Sequence, residues 1–178
     1  MANVVLLRGV NVGGHRSFRP AALAGQLQHL GAVNIGAAGT FVIRKPVAQA
    51  QLREEFARRL PFASQIVVCR GQELVRLLSH ETFADYPERP DQVRFVSVLS
   101  GPVRKTPPLP VILPSSGPWL LTVLAREGRF VIGVYRRHMK VIGYLGRLDT
   151  MFGVPVTTRN WNTVAAIAKV LDDRAAAP

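Results

Sequence analysis

The sequence predicts an α+β protein: a ferredoxin-like plait, β-α-β-β-α-β, over residues 1–82, then a second, more β-rich α/β unit over residues 90–178. Three observations carry this. Apolar runs and segments of helical periodicity alternate in that order through the first 70 residues, which is the split βαβ arrangement. The polar stretch HETFADYPERPD, residues 80–91, then interrupts the pattern as a boundary does. Beyond it strand-like runs dominate, around a connection at residues 102–118 that holds six of the 13 prolines.

Asn3–Arg8 (NVVLLR) reads as a buried strand. A first helix follows, with Pro20 suited to its first turn and Leu23, Leu27 and Leu30 on one face. Gly31 stops it. Ala32–Ile35 and Thr40–Arg44 read as strands around the turn GAAG. Ala48–Leu60 is a second helix with Leu52, Phe56 and Leu60 inward, closed by Pro61, and Gln65–Arg70 is the fourth strand. Gln72–Ser79 is a third helix and Gln92–Leu99 another strand. The prolines of 102–118 exclude a central strand there. Trp119–Ala125 and Phe130–Tyr135 form a hairpin, Gly146–Phe152 a short helix, and Trp161–Asp173 a last helix with Val164, Ile167, Ala168 and Leu171 as its buried stripe.

Composition narrows the function classes. With 48% hydrophobic residues over 178 positions the chain buries a real core. The single Cys69, on an apolar strand, forms no internal disulfide and fits a reducing compartment. The N-terminus lacks the basic region of a signal peptide, and no run nears the roughly 18 apolar residues of a membrane span. A cytoplasmic protein without membrane contact is expected. The net charge of +12, 23 basic against 11 acidic residues, has two readings. It is a functional surface for nucleic acid or phosphorylated ligands, or solubility charge spread along an arginine-rich chain.

Two motifs stand out as anion sites. LLRGVNVGGHR, residues 6–16, places Gly9 and Gly14 at P-loop spacing, but His15 and Arg16 stand where such a loop needs Lys and then Ser or Thr. The dinucleotide spacing G-x-G-x-x-G fails as well. What survives is a glycine-rich backbone, with Gly13 and Gly14, beside Arg8, Asn11, His15 and Arg16. It offers amide donors and positive charge to an anion, or the glycines only turn the chain. VTTRNWNTV, residues 156–164, places Thr158 or Asn160 as N-cap of the last helix, with Arg159 to pair with an anion and Trp161 to stack on a base. The alternative is plain architecture: a cap, a core Trp and an Arg in water.

A third stretch, YRRHMKVIGYLGR at 135–147, mixes Arg136, Arg137, Lys140 and Arg147 with Tyr135 and Tyr144. This suits nucleic acid, or is a solvated strand exit. The four histidines, at 15, 29, 80 and 138, have no metal-ligand spacing. His15 is the one candidate proton carrier. Base stacking in the manner of RNA-recognition plaits is not supported, since NVVLLR has no aromatic residue and TFVIR only Phe41.

LLRGVNVGG near the start and TTRNWNTV near the end together resemble a bacterial family known as domain of unknown function 1697. In that family a QSGN-type turn precedes the strand after the first helix. Here the turn is GAAGTF, with Ala37, Ala38 and Thr40 at its polar positions and Gly39 retained. The resemblance implies an α/β fold of paired ferredoxin-like units and no established activity. The expected function is binding of a phosphorylated or other anionic ligand in a cleft between the GVNVGG loop and the TTRNWNT helix start. Alternatives are nucleic-acid binding through the basic surface, an enzyme acting on a phosphorylated substrate, and a self-association module. No cofactor, no metal and no particular oligomeric state are implied.

Overall fold

Two antiparallel sheets organise the chain, seen in a computed structural model that describes residues 1–11 and 14–173. The elements are β1 (Asn3–Leu7), α1 (Pro20–Gln26) with a 3-10 turn at Gln28–Leu30, β2 (Ala32–Ile35), β3 (Thr40–Ile43), α2 (Gln49–Arg59), β4 (Ile66–Arg70), α3 (Gly71–Leu77), β5 (Gln92–Leu99), β6 (Val111–Leu113), β7 (Leu121–Glu127), β8 (Phe130–Arg136), α4 (Val141–Gly146), α5 (Leu148–Phe152), β9 (Val156–Asn160) and α6 (Trp161–Asp172). They form two compact units: Met1–Ser79 with the segment from Asn162 onward, and His80–Trp161.

In the first unit the sheet order is β2-β3-β1-β4, all neighbours antiparallel. Val5 lies opposite Phe41 on one side and Val68 on the other. These three, with Leu7 and Ile43, share a core with Leu23 of α1, Leu27 just past its end, and Leu52 and Phe56 of α2. The rings of Phe41 and Phe56 meet edge-on at 5.0 Å. Val4, Leu6, Val42 and Val67, on the opposite face, are buried as well. A strand covered on both faces reads as a continuous apolar run, which is why β1 is NVVLL without alternation. Cys69 is buried on that second face, its thiol directed to the Val4 carbonyl at 3.8 Å.

The second sheet runs β6-β7-β8-β5-β9, again antiparallel throughout. Phe95, Leu99, Leu121, Val123 and Val131 pack with Val141, Leu148 and Phe152 from α4 and α5. Gly133 is required for this packing, because a Cβ there would stand 2.3 Å from the Thr122 carbonyl and 2.7 Å from the Phe95 ring. The proline-rich connection holds only the three-residue β6, at the sheet edge where missing N–H donors are tolerated.

Three features depart from the sequence expectation. Residues 156–160 are a strand, not a capping run: Val156 lies opposite Leu99 and Thr158 opposite Ser97, whose hydroxyls are 2.6 Å apart. Thr158 is therefore a sheet residue, and Asn160 is the one that directly precedes the helix. The predicted helix at 146–152 is instead two short helices meeting at Arg147, the first starting at Val141. The last helix, expected within residues 90–178, groups with the first unit from Asn162 on. Leu171 packs directly over Gly71, and Arg44 Nη2 donates to the Val170 carbonyl at 3.5 Å. Among the described residues no helix is long and apolar enough to cross a membrane.

Candidate functional site

The opening loop is held from both sides. At the end of β1, Leu7 N donates to the Gly39 carbonyl (2.8 Å) and Arg8 N to the Gln65 carbonyl (3.1 Å). Val10 is buried beneath the turn Gly36–Gly39. A Cβ on Gly39 would lie 2.7 Å from Val10 Cγ2 and 2.8 Å from Leu7 Cβ, and Gly39 has φ +69°. Only glycine fits such a position without strain. Asn11, itself at φ 53°, spans the gap: its Nδ2 donates to the Ala37 carbonyl (2.8 Å) and its Oδ1 accepts from Phe18 N (2.9 Å). Its amide thus serves to fasten the loop to the GAAG turn.

Gly14, His15 and Arg16 are exposed, while Arg8 is half-buried with Nη1 3.5 Å from Gln65 Oε1. Gly13 lies outside the described residues. Arg16 adopts φ 49° and its guanidinium turns back toward Gly9. Helix α1 starts only at Pro20, so its N-terminus does not cap an anion at Gly14.

The closing motif is built differently from the expectation. Arg159, on β9, is only 9% exposed and its Nη1 donates to the Thr158 carbonyl at 2.8 Å. Burial lowers its pKa to about 10, so it remains a cation at neutral pH. The reading of an arginine in water does not describe a side chain so deeply buried. Asn160 is exposed. Trp161 is half-buried and meets Phe83 edge-on at 4.8 Å, so its ring packs against the 80–91 segment. The opening loop belongs to the first unit and residues 156–161 to the second.

A more concentrated arrangement lies wholly within the second unit. Arg136, Arg137, His138, Lys140 and Tyr144 line a cavity of about 490 Å³ at the exit of β8. Pro114, Pro118 and Leu120 form its apolar wall, and Asp91 is its one carboxylate. The cations are anchored through the backbone. Arg136 N donates to the Leu120 carbonyl and Arg137 N to the Asp91 carbonyl, each at 2.8 Å. Arg137 Nε donates to the Pro90 carbonyl at 3.0 Å, and the Arg136 guanidinium lies over the Trp119 ring at 4.6 Å. Arg136 Nε is buried without a hydrogen-bond partner. Lys140 and Tyr144 stand four residues apart at the start and within α4, and so share a helix face.

The stretch YRRHMKVIGYLGR, residues 135–147, carried this signal in sequence, as basic residues interleaved with Tyr135 and Tyr144. Asp91 and the proline wall carried none, since they come from segments distant along the chain. Among the described residues no group of three or more His, Cys, Asp or Glu is placed to share a metal ion.

Comparison with known proteins bears on family and fold. The family model described as a protein of unknown function (DUF1697) matches residues 1–109, which include the opening motif and stop before β9. No curated protein matches significantly. Among solved structures, the conserved bacterial protein SP0830 from Streptococcus pneumoniae is similar, with a TM-score of 0.60 at 16% identity, over 96% of this chain and 98% of that one. At that identity the likeness is one of fold.

Proposed function

The chain belongs to the DUF1697 family of proteins of unknown function, and we propose that it binds a phosphorylated or otherwise anionic ligand in the groove at the exit of β8. One observation carries the reading: three basic side chains, Arg136, Arg137 and Lys140, line one cavity whose lining includes a single carboxylate. Guanidinium forks match phosphate oxygens in a bidentate way, and Lys140 adds a compact point charge. The apolar wall and the Tyr144 ring suit a sugar or base attached to the phosphate. The volume falls in the range of about 300–1,000 Å³ common for small-ligand sites.

The test is a thermal-shift screen of inorganic phosphate, pyrophosphate, sugar phosphates and nucleotides against the wild type and Arg137→Ala. A bound ligand at about 100 times its Kd stabilises by roughly 2.7 kcal/mol. A shift seen in the wild type and diminished in the variant supports the groove. Equal shifts in both proteins, or none in either, refute it.

The same reading takes the first unit as a ferredoxin-like plait. Its support is the element order β-α-β-β-α-β and the sheet order β2-β3-β1-β4. A cytoplasmic location is part of it too, supported by a single, buried and unbridged cysteine.

A further inference from the structure

We propose that the groove takes a single-stranded nucleic acid rather than an isolated phosphorylated metabolite, an inference that rests on the anion-binding reading above. A second cavity, of about 200 Å³, is lined by Asp85, Tyr86, Arg89, Trp119 and again Arg136. Arg136 is thus common to both cavities. We take the two, which share Arg136, as one track, with Arg137 and Lys140 lining the larger cavity and Arg89 the smaller.

Aromatic rings are interleaved with these charges. Tyr144 lines the larger cavity; Trp119 lies against Arg136, and Tyr86 meets Trp119 edge-on at 6.0 Å. Cations spaced along a groove with aromatic faces between them are what a single strand requires, phosphates to the first and bases to the second. A lone nucleotide engages one cavity and leaves the other unused. Two carboxylates, Asp91 and Asp85, line the track against four permanent cations, so the balance stays positive. Pro87, Pro114 and Pro118 line it with surfaces that lack N–H donors, which suits sugar faces and offers little to base edges. Sequence preference is therefore weak.

Arg89 decides between the two kinds of ligand, because it lines only the smaller cavity. It is exposed, so Arg89→Ala leaves the core intact. The experiment is fluorescence anisotropy with a labelled 12-nucleotide oligo-dT on the full chain, competed by the mononucleotide TMP, at several salt concentrations. Each single-strand phosphate contact contributes about −0.7 to the slope of log K against log salt, so four contacts give about −3. Arg137→Ala is expected to weaken the oligonucleotide about tenfold. Arg89→Ala is expected to weaken it several-fold, make the slope shallower by about 0.7, and leave TMP competition unchanged. Ile142→Ser, at an exposed position of α4 outside both cavities, is the neutral control.

TMP binding as tight as the oligonucleotide, with Arg89→Ala silent, overturns the single-strand inference and leaves the anion site standing. Preference for duplex, or for phosphatidylglycerol vesicles, overturns it as well. Absence of binding by both TMP and oligonucleotide removes the inference and the anion site together.

Discussion

Gly39→Ala is the perturbation that most sharply probes how the opening loop is built. Two costs are visible. The residue sits at φ +69°, and a left-handed conformation costs an alanine roughly 1–2 kcal/mol. The new Cβ would also stand 2.7 Å from Val10 Cγ2 and 2.8 Å from Leu7 Cβ, both in a packed core. Neither neighbour has room to give, since Leu7 is fully buried and Val10 nearly so. Overpacking of this kind costs about 1–3 kcal/mol. The sum is about 2–5 kcal/mol, read from the urea midpoint. Gly36→Ala, three residues earlier, provides the comparison: its φ is +64°, but nothing lies within 4 Å of its Cβ. It is expected to lose only the conformational part, about 1–2 kcal/mol. Equal losses in the two variants would refute the claim that the GAAG turn is packed onto the loop.

Other consequences follow from the same geometry. Phe56→Ala, removing a fully buried ring against Phe41, should cost about 3–5 kcal/mol by urea unfolding; a loss under 1 kcal/mol would mean α2 is not docked there. Arg159→Met removes the 2.8 Å hydrogen bond to the Thr158 carbonyl and is expected to cost about 1–3 kcal/mol by urea unfolding at neutral pH; no loss would mean that this bond does not hold β9 in place. The pKa of Arg159, lowered by burial to about 10, makes the folded state bind fewer protons than the unfolded state only above that pH. Stability from this group therefore rises with pH only there, and the stability difference between Arg159→Met and wild type should stay flat from pH 6 to 9. A clear slope in that window would contradict the assignment. Ser97→Ala breaks the 2.6 Å hydroxyl pair with Thr158 and should cost about 1–3 kcal/mol if the remaining hydroxyl is left without a replacement partner; no loss would indicate that Thr158 is satisfied elsewhere.

Much of the first unit was legible because its signals are local. Leu23, Leu27 and Leu30 mark one buried face, although the expected single helix ends at Gln26 and passes into the 3-10 turn Gln28–Leu30, which Gly31 at φ +67° stops, and uninterrupted NVVLL announces a strand buried on both faces. The misread parts depend on partners far along the chain. VTTRN has no apolar alternation of its own, and becomes a strand because Ser97 and Leu99, some 60 residues earlier, offer an edge and a matching hydroxyl. The last helix leaves the second unit because Leu171 finds the bare backbone of Gly71, a contact across 100 residues. The site divides in the same way. Asn11 reads in sequence as a ligand donor, and its carbonyl partner on Ala37 comes to it only through the fold. Arg136, Arg137, Lys140 and Tyr144 lie close enough in sequence to be noticed together, whereas Arg89 and Trp119 join them only through the fold.

The central claim is that charge in the β8-exit groove, rather than charge on the opening loop, holds the anion. Calorimetric titration of pyrophosphate into wild type, Arg137→Ala and Arg16→Ala compares the two places directly. Arg137→Ala is expected to lose about tenfold in affinity, some 1.4 kcal/mol, and Arg16→Ala to keep wild-type affinity. Undiminished binding by Arg137→Ala together with loss in Arg16→Ala would contradict it and return the site to the glycine loop.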